Sequence, residues 1–101
     1  MIVRLTYFSA SPEKVEAMRK VYTEEAIPVV RAQKGNLDCK LLEPVNKNDD
    51  FISMTVWDNQ EDADAYQSTG TYKMLVDKVR EFFNGDPQLR VYRAEGVVEH
   101  A

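Results

Sequence analysis

Histidine is almost missing from this chain of 101 residues: His100 is the only one, next to the C-terminal residue. A multi-histidine metal site and a standard buried Ser-His-Asp arrangement are therefore excluded. Cysteine is equally scarce. Cys39 stands alone, so no intramolecular disulfide can form, and the usage fits a reducing, cytoplasmic setting. No apolar run approaches the roughly 20 residues that span a bilayer. The segment Met1 to Phe8 is too short for a secretory leader and carries Arg4 within it. Membrane association is not expected.

Basic charge is in deficit as well. Lys and Arg number 13 against 17 Asp and Glu, for a net charge of −4, and the bases are scattered. Nucleic acid is not an expected partner. The sequence contains no GxGxxG, no GxxxxGK[ST] and no CxxC, which argues against nucleotide, flavin and iron–sulfur cofactors. No cofactor and no metal is expected.

What is present is an ordinary globular balance, 44% hydrophobic and 30% charged. The length predicts one domain, residues 1–101. Ile2 to Phe8 reads as a strand, rich in β-branched and aromatic residues. Val3, Leu5 and Tyr7 share one face; Ile2, Arg4, Thr6 and Phe8 share the other. Ser11 and Pro12 then open a helix, with Val15, Met18, Tyr22 and Ala26 at helical spacing. Pro28 is expected to stop or kink it, and Gly35 to end the segment that follows.

Leu37 to Leu42 and Phe51 to Trp57 read as an antiparallel pair joined by the polar stretch EPVNKNDD. Asp58 with Glu61 predicts a helix cap. Ala63 and Tyr66 begin an apolar stripe that Ser68-Thr69-Gly70-Thr71 interrupts. Tyr72, Leu75, Val76, Val79, Phe82 and Phe83 resume it, and Asn84-Gly85-Asp86-Pro87 ends it. Leu89 to about Val98 is the last strand. The order, strand-helix-strand-strand-helix-strand, is that of the α+β ferredoxin-like split β-α-β sandwich. Two helices cover only one face of such a sheet, yet apolar residues lie on both faces of several strands. The uncovered face predicts a homodimer in which two sheets face each other.

Two stretches carry a family resemblance: MIVRLTYFSASPEKVEAMRKVYTEEAIPVVRAQKGNLDCKLLEP and FISMTVWDNQEDADAYQSTGTYKML. A first helix ends in a proline-containing segment followed by a lone glycine. Later a strand ends in Trp, followed by a polar cap and an interrupted helix. In this the chain resembles the dimeric α/β-barrel superfamily, and within it the antibiotic-biosynthesis-monooxygenase-like domains. The resemblance covers nearly the whole chain. It implies a dimeric α/β barrel. It also implies, as the leading activity, cofactor-independent monooxygenation of a small aromatic or quinol with O₂. A non-catalytic small-molecule-binding homodimer and an isomerase or lyase on the same scaffold are the alternatives.

Haem-degrading members of that superfamily carry an Asn in the first strand, a Trp in the second long helix and a His ten residues after it. The matching positions here are Tyr7, Tyr66 and Val76, so the haem ligand is missing. In a quinol-oxidising type, an Asn, a Trp and a Tyr follow one another in the second helical region. The matching residues are Asp62, Tyr66 and Tyr72, of which only Tyr72 is retained.

The chemistry also stands without the family. An ionised quinol or anthrone can pass an electron to O₂ without flavin or metal. The protein must hold the ring, exclude water and place donors near the negative oxygen. Tyrosines suit both tasks. Tyr66, just before the helix interruption, is the first candidate donor, and Tyr72 a second that orients the substrate oxygen. Asp62 is a candidate base, although the helix dipole already accounts for an acid there. Tyr7 is expected to floor the cavity beside Val3 and Leu5. Trp57 and Arg93 are candidate substrate contacts, with Arg4 able to counter an anion from the first strand. Each has a plain structural reading too: core tyrosine, sheet-edge tryptophan, solvated arginine. Cys39, alternating with Leu37 and Leu41, reads as an inert buried thiol.

Overall fold

The computed structural model describes residues 1–96. Strand β1 is Ile2–Phe8, and a 3₁₀ turn at Pro12–Lys14 leads into helix α1, Val15–Val21. The helical path then passes through a π-turn at Tyr22–Ala26 into α2, Ile27–Arg31. Pro28 explains the π-turn: it has no N–H for the carbonyl four residues back. The ladder opens around this gap, and the Ile27 N–H reaches five residues back to the Tyr22 carbonyl. The proline thus widens the helix without ending it.

Strands β2, Asn36–Leu42, and β3, Phe51–Trp57, form the expected hairpin. Helices α3, Gln60–Ser68, and α4, Thr71–Val79, follow, then a 3₁₀ turn at Arg80–Phe82 and strand β4, Gln88–Arg93. The sheet order is β2-β3-β1-β4 with all neighbours antiparallel. This is the ferredoxin-like sandwich that the element order predicts.

Three local expectations need correction. The side chain of Ser11 does not cap the first helix; its hydroxyl donates to Asn84 Oδ1 at 2.9 Å. The α3 cap is Asn59, one residue after Asp58. Asn59 Oδ1 accepts the Asp62 N–H at 2.8 Å, while the Asp58 N–H goes to the Gly35 carbonyl. Strand β4 stops at Arg93, short of the expected Val98; residues 97–101, His100 among them, lie outside the described residues.

The two faces of the sheet are sharply different. Along β1, burial alternates: Ile2, Arg4, Thr6 and Phe8 are buried under the helices, while Val3, Leu5 and Tyr7 are partly open. Register carries this across to β3, where Phe51, Thr55 and Trp57 are buried and Ile52, Met54 and Val56 are not. The core therefore lies between the helices and the Arg4 side of β1. Met18, Cys39 and Trp57 are its most deeply buried side chains. The bare face is a continuous apolar sheet of Val3, Leu5, Tyr7, Ile52, Met54 and Val56, flanked by the exposed Leu42 and Tyr92.

Candidate active site

Between the helices and the sheet lies a partly enclosed cavity of about 40 Å³ of water-accessible space. Thr6 and Phe8 of β1 and Ser53 of β3 form its floor. Tyr22, Ala26 and Val30 close one side; Tyr66, Tyr72, Leu75, Val76, Val79 and Phe83 close the other. The wall is mostly apolar, and its polar atoms are hydroxyls. No carboxylate, amine or imidazole of the described residues lines it.

Each hydroxyl has a defined setting. Tyr22 Oη lies 2.6 Å from Ser53 Oγ and 3.2 Å from the Lys40 carbonyl, which can accept its proton. Tyr72 Oη lies 3.1 Å from Thr6 Oγ1. Tyr66 differs: its ring is buried, yet among the described residues its hydroxyl makes no hydrogen bond. Among the described residues it is the cavity-wall hydroxyl left free to donate. Burial pushes the phenols of Tyr22 and Tyr66 far above the usual tyrosine range, so both remain protonated donors. Burial likewise raises the Cys39 thiol, which is fully buried and inert, as its alternation with Leu37 and Leu41 suggests.

The chain path explains how the tyrosines converge. Tyr66 sits near the end of α3 and Tyr72 at the start of α4, separated by Gly70 at φ 86°, a left-handed conformation that suits glycine. The turn folds α4 back so that the two rings meet edge-on, with centroids 5.7 Å apart. On its other side Tyr66 stacks on Trp57 at 4.8 Å. The Trp57 Nε1–H donates to Thr55 Oγ1 at 2.9 Å, which fixes the indole.

Behind the two tyrosines lies Arg4. Its guanidinium carbon is 4.8 Å from the Tyr72 ring centroid and 5.5 Å from that of Tyr66, a geometry of cation–π attraction to both. Only 6% of the residue is exposed. Its Nη2 donates a hydrogen bond to Gln67 Oε1, and its Nε has no partner among the described residues. Burial lowers its pKa, with Tyr72, Tyr66 and Asp64 acting in opposition.

Of the residues singled out from sequence, Tyr66 and Tyr72 line the cavity. Arg4 lies behind them, and the other four lie elsewhere. Asp62 belongs to the α3 cap: its carboxylate accepts from Asn59 Nδ2 at 3.0 Å and fills the space that a Cβ on Gly35 would take. Tyr7 points to the bare face, where it borders two open depressions with Asp50, Ile52, Arg90 and Tyr92 among their walls. Trp57 is wholly buried behind Tyr66, so it supports the wall without lining it. Arg93 is exposed and pairs with Glu95 at 2.8 Å. Tyr22, Thr6 and Ser53 were not singled out. Tyr22 lies in the first helix's apolar stripe; Thr6 and Ser53 look like ordinary polar strand positions until the helices are seen to cover that face.

The sequence pattern of the antibiotic biosynthesis monooxygenase family matches residues 1–78. No protein of curated function matches the chain. Among solved structures, a Deinococcus radiodurans protein carrying the antibiotic biosynthesis monooxygenase name superposes with a TM-score of 0.81 at 18% identity. The match covers 100% of this chain and 99% of that one. A Nitrosomonas europaea protein of the same name gives 0.77 at 21% identity, over 93% and 98% of the two chains. The haem degrader MhuD of Mycobacterium tuberculosis, with two haems bound in its active site, gives 0.78 at 17%, over 98% and 100%. At such identities the likeness shows the fold alone.

Proposed function

Given that the chain belongs to the antibiotic biosynthesis monooxygenase family, we propose that it is a cofactor-independent monooxygenase of a small aromatic or quinol, working as a homodimer. The observation that carries this reading is the free Tyr66 hydroxyl in an aromatic-walled cavity. Phe8, Phe83 and the tyrosine rings offer flat apolar surface to a substrate ring. Tyr66 donates a hydrogen bond to the substrate oxygen, and Tyr72, steadied by Thr6, orients it. The hydrogen bond strengthens as negative charge builds on that oxygen, which favours the ionised substrate from which an electron passes to O₂.

The substrate supplies every electron. For an anthrone, the ring methylene and O₂ give a carbonyl and water. One oxygen atom stays on carbon, and the other leaves with the two methylene hydrogens. Dry apolar walls suit this sequence, because they admit O₂ and protect the reactive carbanion from water. The cavity as it stands holds roughly three water molecules at 10–15 Å³ each. A ring therefore enters only when the wall draws back. Haem is a poor fit here. Val76, at the position matched to the histidine of haem-degrading relatives, offers no ligand atom.

The dimer reading rests on the bare sheet face. A second copy laid on Val3, Leu5, Tyr7, Ile52, Met54 and Val56 removes a continuous apolar surface from water.

The decisive experiment is oxygen uptake by metal-free purified protein with a panel of hydroquinols, naphthoquinols and anthrones, corrected for autoxidation. Saturable uptake with an oxygenated product supports the proposal. Tight binding without uptake transfers it to the small-molecule-binding reading, and product formation without O₂ to the isomerase or lyase reading.

A further inference from the structure

Arg4 is a buried cation without a counter-ion among the described residues. Among the described residues it takes part in no ion pair. The groups packed around it are the Tyr66 and Tyr72 rings and the Gln67 amide, with Asp64 acting only at longer range. Its strand neighbours across the sheet, Thr55 and Val91, are uncharged. A buried charge is normally paired, because desolvation is otherwise uncompensated. Two aromatic faces and one amide offset part of that cost and leave the positive charge un-neutralised.

The charge sits directly behind the cavity wall. The two rings it touches line the cavity, and Thr6, the next residue on the same face of β1, forms part of the floor. Among the described residues the cavity wall carries no carboxylate, amine or imidazole to act as a base. A substrate that must react as an anion finds among these wall residues no group to deprotonate it, but it has a cation to attract it once ionised.

We infer that Arg4 is a positioning and specificity residue that selects the ionised form of an aromatic substrate, so that the cavity takes up phenolates and enolates in preference to the neutral parents. The inference rests on the reading of this cavity as an aromatic-substrate site, and the test separates the two.

The probe is 4-nitrophenol, which ionises near neutral pH and whose absorption distinguishes phenol from phenolate. Its affinity is measured below and above its ionisation for the wild type, Arg4→Met, Arg4→Lys and Gln67→Glu. Gln67 is exposed, and a glutamate there places a carboxylate against the guanidinium without removing it. It therefore neutralises the charge in an intact fold should Arg4→Met fail to fold. The wild type is expected to bind the phenolate. Arg4→Met and Gln67→Glu should each weaken phenolate binding about tenfold or more, equivalent to a shift of about one unit in the bound probe's pKa. Binding of the neutral phenol should be nearly unchanged, and Arg4→Lys should retain most of the phenolate preference. Equal losses for phenol and phenolate would assign Arg4 a purely structural role and overturn the inference, as would no change in Gln67→Glu. If the wild type binds neither form, the aromatic-cavity reading falls and this inference with it.

Discussion

Tyr66 is where the chemistry proposed for this cavity concentrates, because its hydroxyl has no other task. Tyr66→Phe removes one oxygen and leaves the ring on Trp57. The fold should be intact by circular dichroism. With an oxygenating substrate, kcat should fall by about ten- to a hundredfold if the hydroxyl acts mainly in the transition state. An unchanged kcat would remove Tyr66 from the mechanism. Tyr22→Phe is a useful contrast. Its hydroxyl is already bonded to Ser53 and the Lys40 carbonyl, so its loss should lower stability by about 1 kcal/mol or more.

Three buried acids also set the response to alkali. Cys39, Tyr22 and Tyr66 all have folded pKa values raised by burial. Such groups contribute their full stability below their unfolded pKa values and lose it as pH rises toward the folded ones, since only the unfolded chain ionises. Urea unfolding should therefore show stability declining above about pH 8.5 as the unfolded thiol ionises, and more steeply above about pH 10 with the tyrosines. Cys39→Ala should remove the first phase only. At the residue scale, Tyr66 and Tyr72 were legible from their places around the helix interruption, and the inertness of Cys39 from its alternation. The face of β1 was not. Val3, Leu5 and Tyr7 look like core, and Arg4 and Thr6 look like solvent-facing residues. The reading inverts because the helices cover the polar face, where two tyrosine rings flank an arginine that sequence alone gives no reason to bury.

At the scale of elements, two glycines with left-handed backbones make a clean comparison. A Cβ on Gly70 would meet nothing within 4 Å, so Gly70→Ala is limited to backbone strain, about 1 kcal/mol. A Cβ on Gly35, at φ 80°, would also overlap the carboxylate and Cβ of Asp62. Gly35→Ala should therefore lose about 2 kcal/mol or more in urea unfolding, and Gly35→Ala with Asp62→Ala should recover part of it. Equal losses for Gly35→Ala and Gly70→Ala would show that the α3 cap yields freely. This pairing also explains why Asp62 made a persuasive but misplaced candidate base: acids in a first helical turn have a use already, and here Asn59 and Gly35 account for it. The strand and helix order was legible throughout, because period-two and helical spacings are strong local signals. The π-turn was not, because a proline inside a helical pattern looks the same in sequence whether it ends the helix or widens it.

The bare sheet face governs the whole molecule. If a second copy covers it, sedimentation should give twice the chain mass, and the melting temperature should rise with protein concentration. Met54→Lys places a charge in the middle of that face, opposite Leu5, and should shift the equilibrium to monomer while leaving the cavity residues untouched. A wild-type chain that sediments as a monomer at micromolar concentration would overturn the dimer. The two-faced apolar pattern was the most legible large-scale feature of the sequence, since it needs only alternation and a count of helices.

The stacking of Trp57 on Tyr66 has an optical consequence. Trp57 is the only tryptophan in the chain. Its indole is shielded from water and lies 4.8 Å from a phenol that lines the cavity. The emission of the protein therefore comes from a single known place, one ring away from any bound molecule. A quinone formed in the cavity would quench that emission and its departure would restore it. Stopped-flow fluorescence of the unlabelled protein could then time product release separately from oxygen consumption, with the native chain as its own reporter.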